Sequence, residues 1–252
     1  MRLELLWDWR LLCERLAVAS IRQRRLHKLR NTPARNLKLG HIDSLELLEM
    51  ARPAGVNVIY DVGANVGTWT LLARAIIPEA TIEAFEPYPL HRKGFAENCL
   101  DLSGITLHPI ALGPENTSMP LRVTSFSDAS SLLPLATASH EHFGLTEVER
   151  IPVPVRRLDD YRVEKGLADP DLIKIDVQGF ELAVLSGAIS VLTHTKALIV
   201  EVGFLELYEQ QCTFPEICSF LDRHNFKIHA FGISTPLGKP LVQTDVLFMK
   251  YE

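Results

Sequence analysis

Apolar residues along the chain fall into two kinds of segment that take turns. Short runs, apolar at nearly every position, stand at 58–62, 81–85, 106–111, 172–176 and 197–202. Runs of that length without polar alternation predict strands buried on both faces. Between them, apolar residues three and four apart predict helices at 67–75, 89–100, 180–186 and 214–224. Strand and helix in alternation make a mostly parallel sheet covered by helices. The end of the chain departs from this. Segments 227–232 and 245–250 both read as strands, and the loop at 233–241 is too short for a crossover helix. An antiparallel hairpin is therefore predicted there.

Two regions stand outside the alternation. Residues 1–30 read as a helix, with Leu5, Leu6, Trp9, Leu12, Leu16 and Ala19 near a 3.6-residue period. Asn31-Thr32-Pro33 breaks it, and a short helix at 43–50 leads into the main pattern. Residues 1–50 are thus expected as a helical extension and 51–252 as the main domain. Within that domain, 118–124 and 151–158 look extended and flank polar stretches. An insertion of that length at 118–158 is expected to serve as a lid or binding loop.

Composition narrows the class. At 252 residues, 47% hydrophobic and 23% charged, the chain suits one globular α/β domain with an appendage. The formal net charge of −5 gives no whole-protein attraction to nucleic acid. Residues 1–30 nevertheless carry eight Lys or Arg against three acids, a local +5. A basic amphipathic helix of this kind suits either an anionic membrane surface or packing against the domain or a second subunit. The four cysteines have neither paired nor metal-ligand spacing, no apolar run of spanning length occurs, and the first residues lack a signal-peptide core. A cytoplasmic protein is expected.

Candidate chemistry sits at two strand ends. In Val58-Ile-Tyr-Asp-Val-Gly-Ala-Asn-Val-Gly-Thr-Trp-Thr70, a strand ends near Asp61 and glycines at 63 and 67 precede a helix. A strand, tight turn and helix start form the place where an α/β sheet holds a nucleotide-like ligand. Glycines let a ligand approach the backbone, and a helix start favours an anionic group. The spacing differs from the Gly-x-Gly-x-x-Gly of dinucleotide sites and from a P-loop, which counts against an NAD-dependent oxidoreductase. The next strand ends in Glu86, where Rossmann-like folds bind a ribose diol; the alternative is an acid in solvent. A ribose with a cradled carboxylate points to S-adenosylmethionine. The second constellation is 171–188, which brings Asp176 to a strand end, followed by Gly179 and Glu181; Glu201 closes a further strand. These acids are expected to face the ligand crevice, where a carboxylate orients a hydroxyl, takes its proton or holds a metal. For Glu181 the alternative is a helix-start acid stabilised by the dipole.

The motifs Asp-Val-Gly-Ala-Asn-Val-Gly, Phe-Glu-Pro, Ala-Leu-Gly, Leu-Asp-Asp and Lys-Ile-Asp-Val-Gln-Gly-Phe-Glu, in this order, resemble the FkbM family of S-adenosylmethionine-dependent methyltransferases. The likeness covers roughly residues 56–250. It implies a class I methyltransferase fold: a Rossmann-like seven-stranded sheet with a C-terminal antiparallel hairpin, to which this chain adds its N-terminal helical extension. It implies Asp61, Gly63, Asn65 and Gly67 in the cofactor loop, Glu86 at the ribose, Ala111 at the adenine edge and Asp176 beside the methyl donor. It also implies O-methylation of a small hydroxylated acceptor such as a sugar or polyketide. Ala111-Leu112-Gly113 supplies no side chain for the adenine amine, a task left to backbone groups or to Asp128 and Ser130. Asp176 is the first candidate base, with Glu201 and His91 behind it, and His140 and His142 if the insertion folds over the site. No resident metal is assigned. An oxygen-ligand site of Asp176, Glu181 and Glu201 is the alternative. The competing functional reading is a non-catalytic interaction or membrane-associated module that keeps the fold.

Overall fold

A computed structural model describes residues 9–37, 42, 44–232 and 241–251. Residues 1–8 and most of the terminal loop predicted at 233–241 lie outside the described residues. Helix α1 (Trp9–Leu29) opens the chain. The predicted break is a 3-10 turn at Pro33–Asn36, where the Thr32 side chain accepts from the Ala34 N–H and Pro33 needs no donor. Helix α2 (Leu45–Ala51) follows.

Seven strands form the main sheet: β1 (Val58–Val62), β2 (Thr81–Phe85), β3 (Ile105–His108), β7 (Leu172–Ile175), β8 (Ala197–Gly203), β9 (Phe226–Phe231) and β10 (Gln243–Lys250). Their order is β3-β2-β1-β7-β8-β10-β9, with β10 antiparallel to both neighbours and every other pairing parallel. The predicted hairpin is therefore present, and β10 inserts between β9 and β8. The order reverses between β1 and β7, each paired with the other, which makes their carboxyl ends the crevice of the sheet.

Both faces are covered, which explains the unbroken apolar runs. Ile59, Leu172, Ile199 and Leu247 pack with residues of α2, α3 (Thr68–Ile76) and α4 (Pro89–Asn98). The alternate residues Tyr60, Ile173, Val200 and Val246 pack against the other face. There lie α6 (Leu158–Lys165), α7 (Glu181–Ser186), α8 (Ile189–His194) and α9 (Phe214–Arg223). Leu29, Ala34, Ile42, Leu45 and Leu48 belong to the same core as Ile59 and Leu72. Packing thus runs without interruption across the expected boundary at residue 50.

The region 106–158 departs most from expectation. The strand predicted at 106–111 is two strands: Pro109, which has no N–H to donate, separates β3 from β4 (Ala111–Leu112). A second sheet of three strands joins β4 to β6 (Glu147–Arg156) and β6 to β5 (Thr117–Thr124). Leu158, read as the end of a strand, begins α6 instead. Asp159 in its first turn accepts the N–H groups of Ser190 and Val191 at 3.0 and 2.9 Å and so fixes α6 against α8. Helix α5 (Thr137–Phe143) completes the insertion.

Candidate active site

Side chains two residues apart on a strand share a face. One face of the sheet ends, at its carboxyl edge, in a row of ionisable groups. Asp61 follows Ile59 on β1, Lys174 follows Leu172 on β7, Glu201 follows Ile199 on β8, and Asp245 precedes Leu247 on the antiparallel β10. Asp61 stands opposite Lys174 and Glu201 opposite Asp245 in the strand register. Asp176, two residues past Lys174, completes the set.

Lys174, Asp176 and Glu201 form one hydrogen-bonded cluster through Gln178 and Gln243, with Asp61 and Asp245 beside it. Lys174 Nζ donates to Asp176 Oδ2 at 2.9 Å. Gln178 Nε2 donates to Asp176 Oδ1 at 2.8 Å and to Glu201 Oε2 at 2.9 Å. Gln243 Nε2 donates to Glu201 Oε1 at 2.7 Å. Ser44 Oγ donates to Asp245, and the Tyr208 hydroxyl lies 2.8 Å from Gln178 Oε1. Burial alone would strip the Lys174 charge, but Asp176, Asp61 and Asp245 overcome it and raise its affinity for the proton. The Asp176 side chain is 28% exposed. Burial acts to raise its affinity for a proton, yet the Lys174 ammonium and the Gln178 amide outweigh it, so Asp176 stays ionised. Glu201 goes the other way: burial first, then the charges of Asp176 and Asp245, push it well above the carboxylate range. The pair therefore holds a charged Asp176 beside a neutral Glu201.

A cleft of about 1110 Å³ opens over this cluster. That is at or above the top of the range of small-molecule sites and accommodates two ligands together. Lys174, Asp176, Gln178, Glu201 and Asp245 line one part of it. Gly63, Ala64, Asn65, Glu86, His91 and Ala111 line another. Gly63 has φ +83°, and a Cβ there would stand 1.9 Å from the Asp176 carbonyl oxygen, so the loops after β1 and β7 touch through backbone. Glu86 is nearly buried and accepts the N–H groups of Asn65 at 2.9 Å and Tyr88 at 2.7 Å. Each carboxylate oxygen keeps a lone pair for a further donor. Ile110, Ala111, Leu112 and Phe126 form an apolar stretch beyond it. An acid for two hydroxyls, a glycine turn and an apolar slot fit a nucleoside with a charged arm.

Other expected residues sit elsewhere. Asp61 is fully buried behind the cleft, where it accepts the Thr70 hydroxyl at 2.5 Å, and Gly67 starts α3 against Phe95 and Cys99. Neither is among the lining residues. The loop's N–H groups are not waiting for an anion. Those of Gly63 and Ala64 bond to the Phe85 carbonyl, that of Asn65 to Glu86 and that of Gly67 to the Ala64 carbonyl. His91 groups with Glu86, its Nδ1 3.6 Å from Oε1, on the far side of β1 from Asp176. His140 and His142 are exposed on α5 and do not line the cleft. Asp128 accepts from the Asn65 amide at 3.1 Å.

Glu181 corrects the expectation that it faces the crevice. Its Oε1 accepts the N–H groups of Val177 and Gly179, at 3.1 and 3.0 Å, and braces the turn after β7 from beneath. Burial pushes it up to about 7. Asp176, Glu181 and Glu201 thus do not converge on one point, and no group of three His, Cys, Asp or Glu side chains is placed to hold a metal among the described residues. Lys174, Gln178, Tyr208, Gln243 and Asp245 were not singled out from sequence. Lys174 had a signal: a lone cation in an apolar strand, two residues from Asp176 and so on its face.

A seven-stranded sheet in this order, with its one antiparallel strand next to the edge and an acid-lined crevice at the reversal point, defines a class I methyltransferase. Residues 61–228 match the model of the methyltransferase FkbM domain. The chain is 30% identical to the 2-O-methyltransferase NoeI of Sinorhizobium fredii over 196 residues, 75% of this chain and 79% of that one. It is 30% identical to the 31-O-demethyl-FK506 methyltransferase FkbM of Streptomyces tacrolimicus, over 52% of this chain and 59% of that one. For the hexuronic acid methyltransferase AglP of Haloferax volcanii the identity is 31%, over 58% and 56%. The chain belongs to the FkbM methyltransferase family. It is an S-adenosylmethionine-dependent methyltransferase.

Proposed function

We propose that the protein transfers a methyl group to a hydroxyl of a small organic acceptor, with Asp176 orienting that hydroxyl and taking its proton. The observation that carries this is the ionised Asp176, which lines the cleft with Lys174 and Gln178 holding its two oxygens. Its remaining lone pairs are free to accept from an acceptor hydroxyl. The 2-O-methyltransferase NoeI and the 31-O-demethyl-FK506 methyltransferase FkbM, both relatives named for transfer to oxygen, support the same reading. S-adenosylmethionine supplies the activated methyl group. Glu86 holds the ribose hydroxyls, Gly63 and Asn65 flank the methionyl arm, and Ala111 with its neighbours takes the adenine. Asp61 and Gly67 shape the loop from behind, His91 braces Glu86, and Glu201 stays protonated as a donor beside the base. The wall of Leu121, Leu132, Phe143 and Leu145 faces the apolar part of the acceptor.

Calorimetry tests this first. The protein binds S-adenosylmethionine, and Glu86→Ala weakens binding by roughly 10- to 100-fold, the worth of hydrogen bonds to a charged group. Transfer of a labelled methyl group to members of a panel of hydroxylated compounds then identifies the acceptor. A non-catalytic module predicts no binding at all, and that result would sink the enzymatic reading.

We further propose that α1 is a surface for self-association or peripheral membrane contact. Its C-terminal half is held to α2 by Arg25 on Glu46 and Lys28 on Glu49, and Leu29 is buried. Upstream, Leu16 is 61% and Ile21 39% exposed. No helix among the described residues is long and apolar enough to cross a membrane. A cytoplasmic setting accords with four free cysteines. Removing residues 1–21 is expected to abolish either dimerisation in sedimentation or binding to anionic vesicles, with S-adenosylmethionine affinity retained. No change in either assay would end this proposal.

A further inference from the structure

Gln178 is at an intersection that the methyl-transfer reading does not explain. Its backbone has φ +57°, a conformation unfavourable for a residue with a Cβ and sustained only where surroundings enforce it. Its carbonyl accepts from Ser131 Oγ at 2.7 Å, and that hydroxyl in turn receives the Leu133 N–H. Both hydrogens of its side-chain amide are used, one on Asp176 and one on Glu201. Its amide oxygen faces the Tyr208 hydroxyl, which also lies 2.9 Å from the Ala129 carbonyl. Tyr208 itself bridges to Leu135. One side chain therefore joins the two acids of the site to the 129–135 stretch that walls the acceptor cleft.

We propose that Gln178 is a positioning residue: its amide keeps Asp176 ionised and aimed into the cleft, and it ties that state to the seating of residues 129–135. This rests on the reading of Asp176 as the base. A donor to a carboxylate favours the charged form, so loss of that donor raises the proton affinity of Asp176. The other ionisable groups around the pair are Asp61 on β1, Lys174 on β7, Glu181 on α7, Asp245 on β10 and Tyr208 between β8 and α9. Of these, Lys174 also favours the charged form, but it reaches only Oδ2. Oδ1 accepts from Gln178, whose amide also fixes the neighbouring Glu201, the other hydrogen-bonding partner of Asp176.

The test needs no acceptor. Protein carrying carboxyl-labelled [13C]aspartate is titrated by NMR, and the Asp176 signal is assigned by its loss in Asp176→Asn. In Gln178→Ala the Asp176 midpoint moves up by about one pH unit or more. In the isosteric Gln178→Glu it moves further, because a third carboxyl takes the place of the donor. Tyr208→Phe, which leaves the turn intact, gives a smaller rise in the same direction. Affinity for S-adenosylmethionine, measured by calorimetry, stays close to wild type in all three variants. A midpoint unmoved in folded Gln178→Glu and Tyr208→Phe overturns the proposal. So does a shift accompanied by loss of cofactor binding, which marks general disruption. Once an acceptor is in hand, turnover retained by Asp176→Asn alongside these shifts would end the base assignment and leave the positioning effect standing.

Discussion

Asp176→Ala is expected to lower methyl transfer by about 10²- to 10⁴-fold, the usual contribution of a positioned base, while S-adenosylmethionine still binds. Asp176→Asn should lose as much turnover with less damage to stability, because the amide oxygen can still accept from Lys174, which alanine would leave as a buried ammonium without its partner. The neighbouring Glu201 gives the experiment a second readout. Burial and the charge of Asp176 hold Glu201 in its neutral form. When that charge is removed, its proton affinity falls, and at higher pH it becomes the ionised acid beside the acceptor. Residual activity of Asp176→Asn should therefore climb with pH, and Asp176→Asn/Glu201→Gln should abolish the climb. Turnover equal to wild type in the single variants would remove Asp176 from the mechanism.

The largest effect on the fold is expected at Gly63. Alanine there must hold φ +83° and place its Cβ 1.9 Å from the Asp176 carbonyl oxygen. Both groups belong to backbone at the ends of paired strands, so neither can turn aside. Relief requires parting β1 from β7 in the middle of the sheet. A loss of about 4 kcal/mol or more, in the range reserved for severe lesions, is expected in chemical denaturation, together with loss of cofactor binding. Gly144→Ala is the control. Its φ of +66° is similar, but nothing lies within 4 Å of the added carbon, so only the left-handed backbone cost of roughly 1 kcal/mol remains. Equal losses at the two positions would show that the contact with Asp176 is unimportant.

The main sheet was legible because strands covered on both faces must be apolar at every position, and such runs are conspicuous. Four of the five parallel segments predicted from them are single strands of the main sheet, the fifth reaches only His108 before Pro109 ends it, and the closing hairpin followed from loop length alone. The insertion was less legible. Its helix α5 has seven residues, too few to display a period; outside it, α8 with six residues and β4 with two were missed for the same reason. In the site, residues next to a glycine or at a strand end were visible as Asp176, Glu86 and Glu201. What stayed hidden was the partner of each. Asp245 and Glu201 meet only through the antiparallel register of β10 and β8. Tyr208 reaches Gln178 across a gap of 30 residues. Glu181 looked like Asp176 from sequence, yet its side chain turns to the backbone of its own loop.

The second sheet invites one more consequence. Strands β4, β5 and β6 hydrogen-bond to one another and share no ladder with the main sheet. Asp176, the base proposed above, directly follows β7 of the main sheet, whereas most of the apolar wall is carried by the insertion. On that proposal, chemistry and much of the selectivity are written on different pieces of chain. A lineage with this layout can exchange one acceptor for another by rewriting Leu121, Phe143 and Leu145, which lie outside the stretch that Gln178 holds, with the alignment of donor and base inherited unchanged.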